Sequence, residues 1–382
     1  MVMSMTGTIT SATAMLQLLE SDLKFGQAML SMDPRLEEMP PTWRMNTVKT
    51  AAVAKQWRAQ GRQTLSMHPE IAAATKLATS DKIPVEVLRA LPYICPMVVF
   101  PDPPLMPTWR GYANAGNGEL MPYAETWMRM LGFLTYSFDP VLTREAYDGP
   151  QSPTRDLLEA TNRMVRSTHD PDTRDFGAIV IFEILDETGK RVDMEAASIS
   201  TPFAQVATLA ELVEDQAQRF VFADIESGRP ELQRLKQITQ QITESLADKK
   251  RVKSWFEEVF KTVMGSLLYL CSTTLEAERV PSSATRKLAK NTIARKPLSL
   301  YRIGWTTGAA LSTLRQERMM LGEPSQMGDL AHQQDPQHRR AHFKTVWSGP
   351  GRTIPKTVFV APYWTHRERL GVVGVNTARR VV

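Results

Sequence analysis

Between Lys253 and Cys271 the chain carries Trp255, Phe256, Val259, Phe260, Val263, Met264, Leu267, Leu268 and Leu270. At about 100° per residue these side chains occupy most of a helix circumference, so too little polar surface remains to face water. The stretch predicts a buried central helix around which other elements must pack. Upstream, Glu231 to Asp248 shows the ordinary amphipathic stripe of Leu232, Leu235, Ile238, Ile242 and Leu246, which suits the edge of a core.

A second constraint precedes these helices. Phe176 to Leu185 is β-branched and apolar, Arg191 to Ser200 is its natural partner, and Asp186 to Lys190 supplies a turn containing Gly189. That arrangement predicts a β-hairpin closed by Pro202. Residues 12 to 90 are rich in Ala, Leu, Met, Gln and Lys and predict mostly helix, with breaks at Asp33-Pro34 and Met39-Pro40-Pro41. His68, followed by Pro69, reads as a helix start. Residues 92 to 122 hold seven prolines and a Gly-rich run, and predict an irregular connection. Gly111, Gly116 and Gly118 lack the following Lys-Ser/Thr of a phosphate loop. Residues 276 to 298 are polar and basic, and predict an exposed linker.

At 382 residues the chain is long for one core. Three regions are expected: 1–150 mainly helical; 151–280 with the hairpin at 176–200 and the buried helix at 253–271; and 281–382, a basic antiparallel β-unit. The fold class is α+β. Two cysteines, Cys95 and Cys271, are too few for a zinc site and favour a reducing cytosol. The N-terminus lacks the basic and apolar regions of a leader, and no apolar run reaches membrane-span length. The expected location is the host cytoplasm, without membrane contact.

The net charge of +5 conceals an asymmetry. Residues 281 to 382 hold 17 Lys and Arg against 5 Asp and Glu, a net of +12, whereas residues 1 to 280 carry a net of −7. A basic quarter on an acidic body is the electrostatic footprint of a nucleic-acid or acidic-protein partner, or of a tail folded back on its own body.

Within that quarter, residues 336 to 366 concentrate His338, His342 and His366 with five Lys or Arg and with Trp347 and Trp364. As a strand from His338, alternation places His338, Arg340, His342 and Lys344 on one face. Arg339, Ala341, Phe343, Thr345 and Trp347 fall on the other. Ser348-Gly349-Pro350-Gly351 is the turn region, Lys356 to Ala361 the returning strand, and Pro362 its end or an edge.

Three chemistries compete for this surface. A shared metal ion needs converging ligands, yet residues four apart on a strand lie roughly 13 Å apart. The acidic residue of a helical His-Glu-x-x-His site is also absent. A metal-independent ribonuclease would use His338 or His342 with His366 as acid and base, and Arg340 or Lys344 to stabilise phosphorane charge. Binding alone needs only cations for phosphate or carboxylate and aromatic side chains as anchors. No cofactor or metal is expected.

The string HRRAHFKTVWSGPGRTIPKTVFVAPYWTH resembles the closing motif of a phage and plasmid family with an H-x-RR-x-H-W-like core, a Gly-Pro-Gly turn and an apolar strand ending in a Pro-aromatic or Pro-aliphatic pair. Leu267 to Ser272 (LLYLCS) and Tyr301 to Leu311 (YRIGWTTGAAL) resemble that family's preceding elements, in the same order. His338, Arg339, Arg340, His342, Trp347, Gly349 and Gly351 match the motif. Phe343 stands where the family commonly has tryptophan, and His338 directly precedes Arg339 without the usual spacer. One branch of the family is similar to anti-CRISPR proteins acting against the type V-A nuclease, which lower its level through its synthesis and recognise part of the polypeptide.

The resemblance implies a regulatory binding protein of a phage or mobile element, more binder than enzyme. Its partners would be a host or competing-element protein, including a nascent polypeptide, and RNA or the ribosome. The expected contact residues are His338, Arg339, Arg340, His342, Lys344, Arg352 and Trp364, with Trp347, Gly349 and Gly351 shaping the motif. The ribonuclease and a phage structural component remain as alternative readings.

Overall fold

The computed structural model describes residues 8, 10–19, 50, 53, 54, 56–76, 78, 82–92, 95–107, 112–114, 120–122, 127–138, 175–186, 188–201, 208, 211, 246–281, 299–321 and 337–365. The expectations for the helix at 231–245, for His366 and for the chain beyond it lie outside these residues.

The strands are β1 (Gln63–Met67), β2 (Met97–Val99), β3 (Leu105–Pro107), β4 (Tyr112–Asn114), β5 (Leu120–Pro122), β6 (Trp127–Phe138), β7 (Asp175–Leu185) and β8 (Arg191–Thr201). There follow β9 (Ala277–Arg279), β10 (Ser299–Ile303), β11 (Gln337–Arg339), β12 (His342–Ser348), β13 (Ile354–Val360) and β14 (Tyr363–Thr365). The principal helices are α1 (Pro69–Lys76), α2 (Leu246–Leu270) and α3 (Trp305–Leu321).

A mixed sheet runs β8-β7-β6-β2-β1-β10-β9, with β3 pairing the same edge of β6 as β2. Its centre is parallel: β1 lies between β2 and β10. The flanks are antiparallel, including the β7/β8 hairpin. At the hairpin's turn the Asp186 carboxylate accepts the backbone N–H groups of Thr188 and Lys190 and the Thr188 hydroxyl. That hydroxyl bond is the first cause holding the carboxyl below its usual range. Gly189, at φ +77°, supplies the left-handed residue that the turn needs.

Helical residues cover both faces of the sheet, and the pleat explains how. Leu65, Met67, Val98, Phe100, Val180, Phe182 and Ile184 pack with Phe256, Phe260, Leu267 and other residues of α2. Their sequence neighbours Met97, Val99, Ile179 and Ile181 meet Met15, Leu16, Leu19, Val53, Ala54 and Trp57 on the opposite side. Alternate side chains of one strand thus enter different cores. The α2 expectation is met: Phe260, Leu267 and Leu268 have no exposed surface. Each such side chain contributes on the order of 1.5–3 kcal/mol through burial.

Helix is described at residues 10–19 and 56–59 and in α1, but six strands, β1 to β6, fall between residues 63 and 138. The largely helical expectation for 1–150 is corrected there. The irregular connection expected at 92–122 contains four of them. They are three residues long, too short to show a period. Residues 277–279, expected as linker, form β9 on the edge of the sheet. β10 joins that sheet too and α3 follows it directly, so the antiparallel unit expected for 281–382 is confined, among the described residues, to β11–β14.

His68 begins α1 as its sequence suggests. Its Nδ1 accepts the Glu70 N–H at 3.2 Å, with Pro69 at the first helical position. Gly308 of α3 packs so closely that a side chain there would meet the imidazole. Burial is the first cause lowering the His68 pKa, with Glu70 opposing it. The neutral ring is therefore the folded form, and its contribution is complete above the ordinary histidine value near 6.5. It is lost as pH falls below that value towards the depressed folded one. Melting temperature against pH should show this step in the wild type and not in His68→Asn, which keeps an acceptor for Glu70 but cannot titrate.

Candidate partner-binding surface

The chain from Gln337 to Thr365 forms one two-stranded ribbon. β12 pairs with β13 and β11 with β14 in the same continuous register, from Ser348↔Ile354 through His342↔Val360 to Gln337↔Thr365. The ladder is interrupted between the two pairs, where Pro362 has no N–H to give. At the tip, Gly349 (φ +78°), Gly351 (φ +67°) and Arg352 (φ +54°) all take left-handed backbone. Glycine supplies that geometry without a Cβ penalty, which accounts for Gly349 and Gly351 in the turn.

One face of the ribbon is anchored. Phe343 and Phe359 oppose each other, with ring centroids 5.4 Å apart, and Phe359 meets Tyr269 of α2 edge-on at 5.2 Å. The chain leaving α2 then holds β13. The Thr273 N–H donates to the Thr357 carbonyl at 2.9 Å, and the Phe359 N–H donates to Ser272 Oγ at 2.9 Å. Burial, reinforced by the Glu276 carboxylate, pushes the Tyr269 phenol up to about 12. Tyr269 also lies against Gly304, so the LLYLCS, YRIGW and ribbon stretches meet around this ring. The anchor fades toward the tip: Phe343 is buried, Thr345 half-buried and Trp347 49% exposed.

The other face is open. Cross-strand pairs there are His342–Val360, Lys344–Val358, Val346–Lys356 and Ser348–Ile354. Lysines and aliphatic side chains thus form a checkerboard, with Lys344 and Lys356 diagonal neighbours. Lys344, Val346, Ile354 and Lys356 are exposed, as are Arg339, Arg340 and Arg352. Residues 336 to 366 contain no Asp or Glu, so the ribbon itself has no carboxylate to neutralise these cations.

The sequence-derived residues therefore fall as follows. Arg339, Arg340, Lys344 and Arg352 lie exposed along one ribbon. His342 is half-buried, with Nδ1 3.3 Å from the Arg340 carbonyl oxygen. Trp364 is half-buried and opposes His338 in register. His338 lies in β11, four positions before His342 of β12. Among the described residues no three His, Cys, Asp or Glu side chains converge as a metal site, and no helix is long and apolar enough to cross a membrane. Cys95 and Cys271 are buried free thiols, both pushed up by burial.

A second cluster escaped the sequence reading. At the carboxyl ends of β1 and β10, Trp305 meets His68 edge-on at 5.0 Å and carries Arg302 over its ring at 5.1 Å. Glu276 caps α3, accepting the Thr306 and Thr307 N–H groups at 3.1 and 3.0 Å and the Thr307 hydroxyl at 2.7 Å. These partners come from three distant stretches, so no local motif reveals them. Their bonds close helix ends, a structural task.

No curated protein and no solved structure matches the chain. A family model does, over residues 65–366: AcrVA2-like, the anti-CRISPR type V subtype A2 family. That span runs from the first strand of the sheet through α1, α2 and α3 to the end of the ribbon, and the chain belongs to the anti-CRISPR type V subtype A2 family.

Proposed function

We propose that this chain is a non-enzymatic regulator that engages a polypeptide of a type V CRISPR system at the translation machinery and reduces its production. The ribbon of Arg339, Arg340, His342, Lys344 and Arg352 is its contact surface, with His338 and Trp364 at the ribbon's base. The observation that carries this reading is the carboxylate-free cationic ribbon, fixed to α2 at one end and projecting an exposed Trp347 at the other. Family membership supports the choice of target system.

The test is affinity capture of the tagged chain from bacteria translating a type V-A nuclease, with and without ribonuclease treatment. The nuclease polypeptide should be recovered in both samples. An Arg339→Ala/Arg340→Ala double variant should bind about tenfold more weakly, since two exposed charge contacts of up to about 1 kcal/mol each give a loss of that order. Recovery that vanishes with ribonuclease, or that ignores the double variant, contradicts the reading.

A further inference from the structure

We propose that the outer edge of β12 receives an acidic, extended polypeptide segment as an added strand. This deepens the proposed function and rests on the reading of the ribbon as the partner surface.

The direction of the backbone groups carries the argument. On β13, the Thr357 carbonyl and the Phe359 N–H turn toward residues 272–273, away from β12. Thr345 pairs with Thr357, and Phe343 with Phe359. In an antiparallel ladder, opposed residues either exchange both bonds or both turn away. Phe343, Thr345 and Trp347 therefore direct their N–H and C=O groups to the free edge of β12. Among the described residues none of these six groups has a partner. β13, by contrast, has its outer edge tied to the end of α2.

The open edge from Phe343 to Trp347 spans about 13 Å, which accommodates an extended segment of about five to seven residues. Such a strand would lay alternate side chains beside Lys344 and Val346 on the open face. An acidic residue answers Lys344, and an aliphatic one packs on Val346. The same cations argue against a second copy of the chain, which would bring Lys344 near its own counterpart. They attract RNA equally well, but single-stranded RNA is held by stacking on aromatic rings. Trp347 is exposed but lies on the opposite, anchored face, whereas the exposed apolar side chains on the open face beside the lysines are the aliphatic Val346 and Ile354. A row of paired backbone donors and acceptors also matches the two-residue repeat of a peptide.

The probe is a random linear dodecapeptide library selected on the full chain, with the best peptide then measured by fluorescence anisotropy beside decauridylate RNA. The expected result is enrichment of Asp or Glu alternating with β-branched residues. Binding should weaken about tenfold or more on alternate backbone N-methylation of the peptide, and equally with Thr345→Pro. Proline there removes an N–H that points away from β13, as edge strands tolerate. Lys344→Glu and the N-methylated peptide keep the test decisive if Thr345→Pro does not fold. Enriched peptides without acidic residues, indifference to N-methylation, or binding of RNA alone would overturn the proposal. If Thr345→Pro leaves peptide binding intact while nuclease polypeptide is still captured, strand addition is overturned and the proposed function stands. Loss of both together supports the proposal.

Discussion

Gly132→Ala should cost at least about 3 kcal/mol of stability, read as a large drop in urea midpoint with the slope unchanged. A Cβ at this position would lie 2.1 Å from the Val98 carbonyl oxygen and 3.0 Å from Met15 Sδ. The first neighbour is the backbone of a central strand and cannot step aside. Gly132 also sits at the register shift of β6, between Met130 and its own pairing with Ile181. The bulge changes which core the strand serves. Met128 and Met130 face α2, and after it Phe133 does so instead of a residue of even number. Leu131, Leu134 and Tyr136 enter the opposite core. Removing the glycine therefore strikes both layers at once.

Phe359→Ala should destabilise by about 3–5 kcal/mol, the usual range for emptying a buried aromatic position. Phe359 is 6% exposed and is the ring that packs on Phe343 within the ribbon and on Tyr269 of α2 outside it. Its loss should also release the ribbon preferentially. Hydrogen exchange should rise in residues 342–360 more than in β6 and β7. A conservative Phe359→Leu change fills much of the space and should recover most of the stability. Uniform loss of protection across the molecule would show that the ribbon is not a separately anchored element.

What was legible in the sequence follows from where the signal is local. The β7/β8 hairpin and the 342–360 ribbon declare themselves through β-branched runs and glycine turns, and α2 through its apolar circumference. His68-Pro69 marks a helix start within two residues. The centre of the sheet was not legible, because β1 is held by β10, more than 230 residues away. The strands β2 and β3 are short and lie among prolines. The β6 bulge breaks the alternation that would identify its buried face. At the surface, the cations and Trp347 were visible as residue types. The unpaired edge of β12 was not, since it depends on Ser272 and Thr273 holding the other strand from outside the motif.

The measurement that bears most directly on the central claim is the amount of type V-A nuclease made in bacteria from a promoter of fixed strength. It is compared among cells expressing the wild-type chain, Arg339→Ala/Arg340→Ala, or no chain. The account predicts a marked fall in nuclease polypeptide with the wild type and recovery toward the uninhibited level with the double variant, whose melting temperature should match the wild type. Unchanged nuclease level with the wild type, or an equal fall with the double variant, would contradict it.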